Sequence, residues 1–283
     1  MKRKEIAVNI MVYIFLLVVL FFVFLPIMYT IMGSFKTNSE IMAHPEHIFP
    51  SEPTLDNYVE VLKNKRFNVP RLFFNSIWYT AFSVIITVVI SILTGYVFAR
   101  GEFPGKKIVF ALFSSLMFIS LGNITIYPIF DILNIVNLST SLWGLIVMKF
   151  FGVGIVNIYL VRSYVWTLPR ELDEAAAIDG CGFVRTFTLI IAPLLKPIIA
   201  TLVILTFNTS WNDYLMPTLF TMSRPEQQTL MVAIVALKGS GQAAANWNLM
   251  LAGATIGLVP ILVVYAFFNR YFVDGLAAGA VKG

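Results

Sequence analysis

Hydrophobic residues occur along this chain in six long runs that are separated by shorter polar stretches. Each run is long enough for a helix that crosses a membrane, which needs about 20 predominantly apolar residues. The sequence therefore predicts an all-α membrane protein, whose six transmembrane helices cover residues 7–31, 77–99, 108–130, 142–161, 195–219 and 249–268.

The first hydrophobic run follows Met-Lys-Arg-Lys and resembles a secretory signal peptide in its charge pattern. A signal peptide has an apolar core of about 7–15 residues followed by a small-residue cleavage site, and this run is longer and lacks such a site. We therefore expect a retained helix. Because no internal repeat, low-complexity tract or soluble domain is visible, residues 1–283 are predicted to form a single membrane domain.

Composition and charge agree with a membrane protein and indicate its orientation. The chain is 58% hydrophobic and 12% charged with a mean hydropathy of +0.83, and soluble domains carry about twice that charged fraction. The net charge is +5. Placing the N-terminus inside leaves twelve lysines and arginines in inner segments and seven in outer loops, five of these seven in the loop 35–75. This excess favours cytoplasmic termini, and we attribute the positive charge to orientation instead of nucleic-acid binding.

The sequence carries no recognisable site for covalent chemistry. The segment "PGKK" at 104–107 lacks the first glycine and the Ser/Thr of a phosphate-binding loop, and nucleophile elbows and HExxH motifs are absent. Cys181 is the only cysteine, and His44 and His47 are too few ligands for a metal site. We predict no catalytic residues, no metal and no cofactor bound by this chain.

Energy for uphill transport would then come from an ion gradient or from another subunit. Ion-coupled carriers place carboxylates within their membrane spans. Here Asp131 and Asp213 come close to a span, and both lie near its end. The pattern favours a partner that consumes nucleotide.

The longest inner loop, residues 162–197, contains the charged and alanine-rich stretch "EAAAIDGCG". Thr167 and Pro169 suit the first turn of a helix, and the acidic residues that follow complement its positive end. Two glycines can then end this helix, and a second short helix over 183–190 would stop at Pro193. The loop is predicted to be helix, tight turn, helix.

The alanines of this loop lack bulk, so the backbone of another protein could approach them closely. Glu174 and Asp179 flank the smooth face and could pair with basic or amide groups. A well-capped surface helix at the membrane interface is the alternative that physical chemistry alone leaves open.

The same stretch resembles the EAA loop of ABC importer permeases. Glu174-Ala175-Ala176 is followed after two residues by Asp179-Gly180 and, nine residues later, by Ile190, one residue, Ala192 and Pro193. Ala192 replaces the usual leucine. In that family the loop is the coupling helix, which docks in a cleft of the cytoplasmic ATPase subunit. The resemblance thus implies ATPase-coupling roles for Glu174, Ala175, Ala176, Asp179, Gly180, Ile190 and Pro193.

Three other segments are similar to carbohydrate-uptake permeases of the maltose-importer type. They are "TLDNYVEVL" (54–62), "WNDYLMPTLF" (211–220) and the C-terminal "RYFVDGLAAGAVKG" (270–283). The chain resembles the smaller, six-helix permease subunit with the type I importer fold. The implied partners are a second permease chain, two ATPase subunits that hold ATP and Mg²⁺, an extracytoplasmic binding protein and a saccharide, in a bacterial cytoplasmic (inner) membrane.

Family likeness suggests roles for two further segments. The outer loop 221–248 stands where the maltose importer has a loop that enters the sugar cleft of the binding protein, which implies contacts by Gly239, Ser240, Gly241 and Gln242. An ordinary flexible connector is the alternative. The C-terminal tail would lie between the ATPase subunits, which implies coupling roles for Gly279, Lys282 and Gly283, and a disordered end is the alternative.

Polar residues inside the spans are candidates for the substrate pathway. Asn208, Trp211 and Asn212 interrupt the fifth span, and amides and an indole suit sugar hydroxyls and sugar faces. Hydrogen bonding between helices is the alternative. Lys149 lies well inside the fourth span, where it either snorkels to the interface or favours an anionic saccharide.

These features predict a permease subunit of an ATP-driven carbohydrate importer that has no ATPase site of its own. One alternative is an importer of the same superfamily for another solute, such as a glycerol phosphate or polyol. Others are an ion-coupled carrier, which the missing deep carboxylates disfavour, and a non-transporting membrane scaffold, which the polar fifth span disfavours.

Overall fold

The computed structural model describes residues 2–63, 68–119, 122–152, 154–238 and 245–280, and in these ranges all regular secondary structure is helical. The α-helices are α1 (Lys2–Gly33), α2 (Asn38–Ala43), α3 (Asp56–Leu62), α4 (Val69–Arg100), α5 (Lys106–Ser115), α6 (Ile126–Ile135), α7 (Leu142–Phe151), α8 (Ile155–Thr167), α9 (Glu171–Ile178), α10 (Phe183–Thr186), α11 (Ala192–Leu194), α12 (Lys196–Trp211), α13 (Leu215–Phe220), α14 (Leu230–Lys238) and α15 (Trp247–Ala280). Short 3₁₀ turns cover Leu116–Phe118, Gly122–Thr125 and Pro225–Gln227, and a π-helical turn covers Phe187–Ile191.

Three helices of the described chain are long and apolar enough to cross a membrane as single rods. They are Val8–Gly33, Val69–Arg100 and Trp247–Asn269, which correspond to the first, second and sixth predicted spans. Two bent pairs raise the number to at most five: α7 with α8, bent by 45°, and the Phe183–Leu194 segment with α12, bent by 75°. The six continuous spans of the prediction are therefore not all present as single helices.

The predicted span 108–130 is wrong as one helix. Helix α5 ends at Ser115, whose hydroxyl donates back to the carbonyl of Leu112 at 2.7 Å, and Gly122 has φ of 54°, outside the α-helical region. The apolar run therefore divides between α5 and α6.

Two more predicted spans are interrupted, each at polar or glycine residues. The run 142–161 breaks after α7 at Gly152, whose ψ of 115° is extended, and α8 then continues to Thr167. The run 195–219 breaks after Trp211, where Asp213 starts the next turn by accepting a hydrogen bond from the backbone N–H of Met216 at 3.3 Å. Hydropathy alone does not register these breaks.

The chain forms two compact units. The first comprises Met1–Arg71 and Leu230–Val259. Within it, the small residues Gly253 and Gly257 of α15 face α14. A Cβ at Gly253 would lie 3.1 Å from a side-chain atom of Ile234, and a Cβ at Gly257 would lie 3.4 Å from another atom of the same side chain. This glycine pair is a helix-packing face, as small residues in membrane helices commonly are.

The second unit comprises Leu72–Thr229 and Pro260–Gly283. Helix α4 contributes to both of its described hydrophobic clusters. One joins α4 to α8 and α12 through residues such as Tyr96, Val161 and Leu202, and the other joins α4 to α6, α7 and α13. Gly95 permits the close approach of α8, since a Cβ there would lie 2.6 Å from the Cβ of Val161. The end of α4 at Arg100 is thereby fixed next to the loop that follows α8.

Candidate coupling site

The loop after α8 contains a short helix, a tight turn and a second helix, although its boundaries differ from the prediction. Thr167 is the last residue of α8, and its hydroxyl donates to the carbonyl of Tyr164 at 2.7 Å. Helix α9 begins at Glu171, two residues beyond Pro169. Thr167 and Pro169 are thus not in the first turn of α9, because a proline disfavours helical backbone in the residue before it and keeps α8 and α9 apart.

The turn after α9 is a Schellman motif. The N–H of Cys181 donates to the carbonyl of Ala176 at 2.8 Å, and the N–H of Gly180 donates to that of Ala177 at 3.1 Å. Gly180 has φ of 74°, the left-handed conformation that this motif requires. Gly182 has φ of −76° and ψ of 168°, so it is extended and precedes α10 directly. The predicted left-handed stop is confirmed at Gly180.

The second helix of the loop is longer than predicted. It begins at Phe183, passes through the π-helical turn Phe187–Ile191 and continues through Pro193 to Leu194 before the 75° bend. Because a proline lacks an N–H and crowds the carbonyl four residues earlier, a wider π turn accommodates Pro193 without ending the helix. Ile190 packs against the hydrophobic cluster of α4, α8 and α12, and Pro193 is exposed.

An ion pair ties α9 to the end of α4. The Nε of Arg100 lies 2.9 Å from Oδ2 of Asp173, and Nη2 of Arg100 donates to the carbonyl of Leu168 at 2.7 Å. The Arg100 side chain is 8% exposed and that of Asp173 26% exposed, so water screens the pair incompletely. The Nε–Oδ2 contact is electrostatic and poorly aligned for a hydrogen bond. Displacing α9 therefore breaks the contact of Arg100 with Asp173, whereas Leu168 belongs to the segment that directly follows α8.

Aromatic packing ties the same end of α4 to α10. The ring of Tyr96 lies 4.7 Å from that of Phe183 and 4.8 Å from that of Phe187, centroid to centroid. Its hydroxyl donates to the carbonyl of Phe183 at 3.5 Å. Both arms of the loop thus contact one turn of α4.

A cavity of about 370 Å³ lies between α4 and the loop. Its charged lining residues are three cations and three anions: Arg100, Lys106, Arg170, Glu102, Asp173 and Glu174. Burial, together with the charge of Arg162, lowers the pKa of the Lys106 ammonium, which donates to the carbonyl of Gly101 at 2.7 Å. The balanced charge and existing pairs give the cavity no strong preference for an ionic ligand.

The outer surface of the turn is apolar at its apex and acidic beside it. Ile178 is 87% exposed and Val184 71% exposed, while Glu174 and Asp179 are exposed next to them. The three alanines do not form one face: Ala176 is buried, whereas Ala175 is exposed. The surface can therefore fill an apolar groove and meet basic groups at its rim.

Six residues that were predicted to contact the binding protein or to act in the C-terminal tail lie outside the described residues. These are Gly239, Ser240, Gly241, Gln242, Lys282 and Gly283. Gly279 lies in the last turn of α15.

The polar residues of the fifth predicted span separate into two groups. Asn208 and Asn212 are exposed and adjacent, since Nδ2 of Asn212 donates to Oδ1 of Asn208 at 2.9 Å. Trp211 is buried, with its ring stacked on Phe207 at 5.6 Å and edge-on to Phe73 at 5.9 Å. The structure brings the two amides together and packs the indole against Phe207 and Phe73.

Lys149 lies in the last turn of α7, half-buried, where its charge interacts with that of Asp213. Asp213 also accepts a hydrogen bond from the hydroxyl of the buried Tyr79 at 3.2 Å. Sequence reasoning did not connect these residues, because Tyr79 and Asp213 are 134 positions apart. It also missed Arg100, whose position at the end of an apolar run was a usable signal.

The chain belongs to the family described as binding-protein-dependent transport system inner membrane component, whose model matches residues 107–277, more than half of the chain. This family consists of membrane permease subunits of ABC transporters. Membership of the ABC importer permeases, which the EAA pattern indicated, is therefore confirmed.

Relatives with similar lengths carry sugar-transport names. The arabinooligosaccharides transport system permease protein AraQ of Bacillus subtilis (strain 168) is 31% identical over 95% of this chain and 94% of its own. The probable starch degradation products transport system permease protein AmyC of Thermoanaerobacterium thermosulfurigenes is 32% identical, with 91% of each chain covered.

The fold is that of solved ABC importers. A chain from the crystal structure of a bacterial ABC transporter involved in the import of the acidic polysaccharide alginate matches with a TM-score of 0.79. The match covers 95% of this chain and 98% of the other at 20% identity. At this identity the likeness concerns the fold.

Proposed function

We propose that this chain is a membrane-spanning permease subunit of an ATP-driven, binding-protein-dependent importer of oligosaccharides, and that it forms half of the translocation pathway. Family membership and the sugar-transport names of AraQ and AmyC support the proposal. The partners are a second permease chain, two ATPase subunits that hold ATP and Mg²⁺, and an extracytoplasmic binding protein. We further propose six membrane crossings with cytoplasmic termini, in which α5 and α6 together supply the crossing that is not among the five candidate spans.

The observation that carries the proposal is the exposed turn between α9 and α10, anchored from behind by α4. In the complex, Ile178 and Val184 would occupy a groove of an ATPase subunit, with Glu174 and Asp179 at its basic rim. Closure of the ATPases on ATP would move α9. The Arg100–Asp173 pair and the contact of Tyr96 with Phe183 would pass that movement to α4.

Substrate contacts in this proposal involve the exposed amides of Asn208 and Asn212, which offer donors and acceptors for sugar hydroxyls. Lys149 would bias the pathway towards anionic saccharides if its ammonium faces the substrate, and the charge of Asp213 reduces that bias. A glycerol phosphate or polyol remains the alternative solute within the same family.

Reconstitution into proteoliposomes tests the proposal. The complete complex, with its binding protein and ATP, should accumulate an oligosaccharide, whereas this chain alone should neither hydrolyse ATP nor accumulate solute. Mass spectrometry of the ligand retained by the purified binding protein identifies the sugar. Gradient-driven accumulation by this chain alone, without nucleotide, would establish an ion-coupled carrier instead, and a retained polyol would redirect the substrate class.

A further inference from the structure

The predicted outer loop contains three side chains whose donor atoms converge. His44, Glu46 and His47 each offer one ligand atom, and these three atoms lie within 4.8 Å of one another. Oε1 of Glu46 is 3.4 Å from Nδ1 of His44 and 3.7 Å from Nε2 of His47. The prediction that this loop holds no metal considered the two histidines and omitted Glu46.

The two contacts of Glu46 are close to the donor separations of a tetrahedral zinc site. With metal–ligand bonds of about 2.0–2.1 Å, two donors in a tetrahedral site lie roughly 3.3–3.4 Å apart. The two contacts of Glu46 already lie near that value. The imidazole rings are stacked with centroids 5.1 Å apart and planes 12° apart, so both rings must turn about their side-chain bonds before their nitrogen lone pairs meet at one ion.

The backbone that carries these ligands is held by residues outside the cluster. Lys36 is 2% exposed, and its Nζ donates to the carbonyl of His47 at 2.6 Å. Glu40 binds the backbone on both sides of the cluster. Its carbonyl accepts a hydrogen bond from the N–H of His44 at 2.9 Å, and its carboxylate accepts one from the N–H of Ser51 at 2.8 Å. The ligand-bearing turn is therefore positioned before any ion arrives.

We propose that His44, Glu46 and His47 form a binding site for a divalent transition cation, with Zn²⁺ as the preferred ion. Two imidazoles and one carboxylate suit Zn²⁺, whereas Ca²⁺ and Mg²⁺ require more oxygen ligands than this turn provides. The side chains are 58%, 64% and 55% exposed, so a fourth position remains open to water or to a donor from another chain.

The test uses the full chain, purified without a polyhistidine tag, placed in nanodiscs and stripped with a chelator. Because the chain has two histidines, any imidazole-based binding must come from these positions. Isothermal titration with Zn²⁺ should show one site per chain and no comparable binding of Ca²⁺. The double variant His44→Gln/His47→Gln should abolish this site, and Glu46→Gln should weaken it by about tenfold or more.

Glu52→Gln is the matched control, because Glu52 is an exposed carboxylate of the same loop outside the cluster, and it should leave binding unchanged. Co²⁺ in place of Zn²⁺ should give visible absorption typical of four-coordination in the wild type and not in the double variant. Absence of stoichiometric Zn²⁺ binding, or equal binding by the double variant, overturns the proposed site. Thermal unfolding of each variant checks that it is folded.

Discussion

The two glycines of the turn after α9 have different conformational requirements. A Cβ at Gly180 or at Gly182 would meet nothing within 4 Å, so crowding is equal at both positions. Their backbones differ: Gly180 is left-handed and Gly182 is extended. A side chain at residue 180 is therefore opposed by backbone strain alone, which costs roughly 1–2 kcal/mol for an L-residue and more for a β-branched one.

Gly180→Val should open the Schellman turn and uncouple transport. We expect the amide of Cys181, which donates to Ala176, to exchange its hydrogen about tenfold faster or more, as a local loss of roughly 2 kcal/mol implies. Hydrogen exchange measured by mass spectrometry and sugar uptake by the reconstituted complex report the two effects.

Gly182→Val is the control with the same added bulk, and it should preserve both exchange and uptake because any residue adopts its backbone angles. Equal effects of the two substitutions would contradict the role of the left-handed turn and point to a general sensitivity of the loop.

The tie between α9 and α4 has a separate test. Asp173→Asn should lower the free energy of unfolding by about 1–3 kcal/mol, between the small effect of exposed ion pairs and the large effect of buried ones. Chemical denaturation of the purified chain measures this loss. In the complex, the same variant should hydrolyse ATP with less sugar imported for each ATP consumed.

A matched control for this tie is Glu171→Gln, since Glu171 is an exposed acidic residue in the same first turn of α9. It should change the free energy of unfolding by no more than about 0.5 kcal/mol and leave the sugar imported for each ATP unchanged. A double-mutant cycle with Arg100→Gln should give an interaction energy of at least about 0.5 kcal/mol, and strictly additive losses would show that the pair transmits nothing.

Sequence patterns predicted the helices that contain long apolar runs. They did not predict where these runs are interrupted. Helices α1, α4 and α15 were predictable because length and hydropathy suffice for them. The division between α5 and α6 was not, since the backbone leaves the α-helical conformation after Ser115 and again at Gly122, both within an apolar run.

Within the loop between α8 and α12, the predictable part was local and the missing part was long-range. Gly180 and the acidic first turn of α9 follow from rules that act within a few residues. Arg100 and Asp173 are in contact although they are 73 residues apart in the sequence. The hydrophobic periodicity of one helix contains no information about such a long-range pair.

Over the whole molecule, the described chain leaves large apolar surface without partners. None of the residues in the most hydrophobic stretch of α1 is buried, whereas half of the corresponding stretch of α4 is. Lipid or another chain must cover α1, as expected for a helix that crosses a membrane.

One buried amide makes several of the contacts between distant parts of the chain within the first unit. Asn57 is 4% exposed, its Nδ2 donates to the carbonyls of Ser34 and Lys36 at 2.7 Å and 2.8 Å, and its Oδ1 accepts from Asn248 at 2.7 Å. Asn57→Ala should lower the free energy of unfolding by about 2 kcal/mol, because it leaves buried carbonyls unsatisfied.

Denaturant titration of the full chain measures this change, with Glu60→Ala as the control. Glu60 is exposed on the same helix α3, and alanine keeps helix propensity high, so this variant should be within about 0.5 kcal/mol of the wild type. Comparable losses in both variants would show that α3 itself, and not the amide, is responsible.

The bond between Asn57 and Asn248 also affects how the protein is made. The ribosome must add 191 residues after Asn57 before its partner exists, which takes roughly 10–40 s at about 5–20 residues per second. During that interval the side-chain amide of Asn57 must remain hydrated or form a hydrogen bond with a different group. The nascent chain therefore matures in this region only when the last helix has been synthesised, and a truncation before residue 248 would leave it open to quality-control proteases.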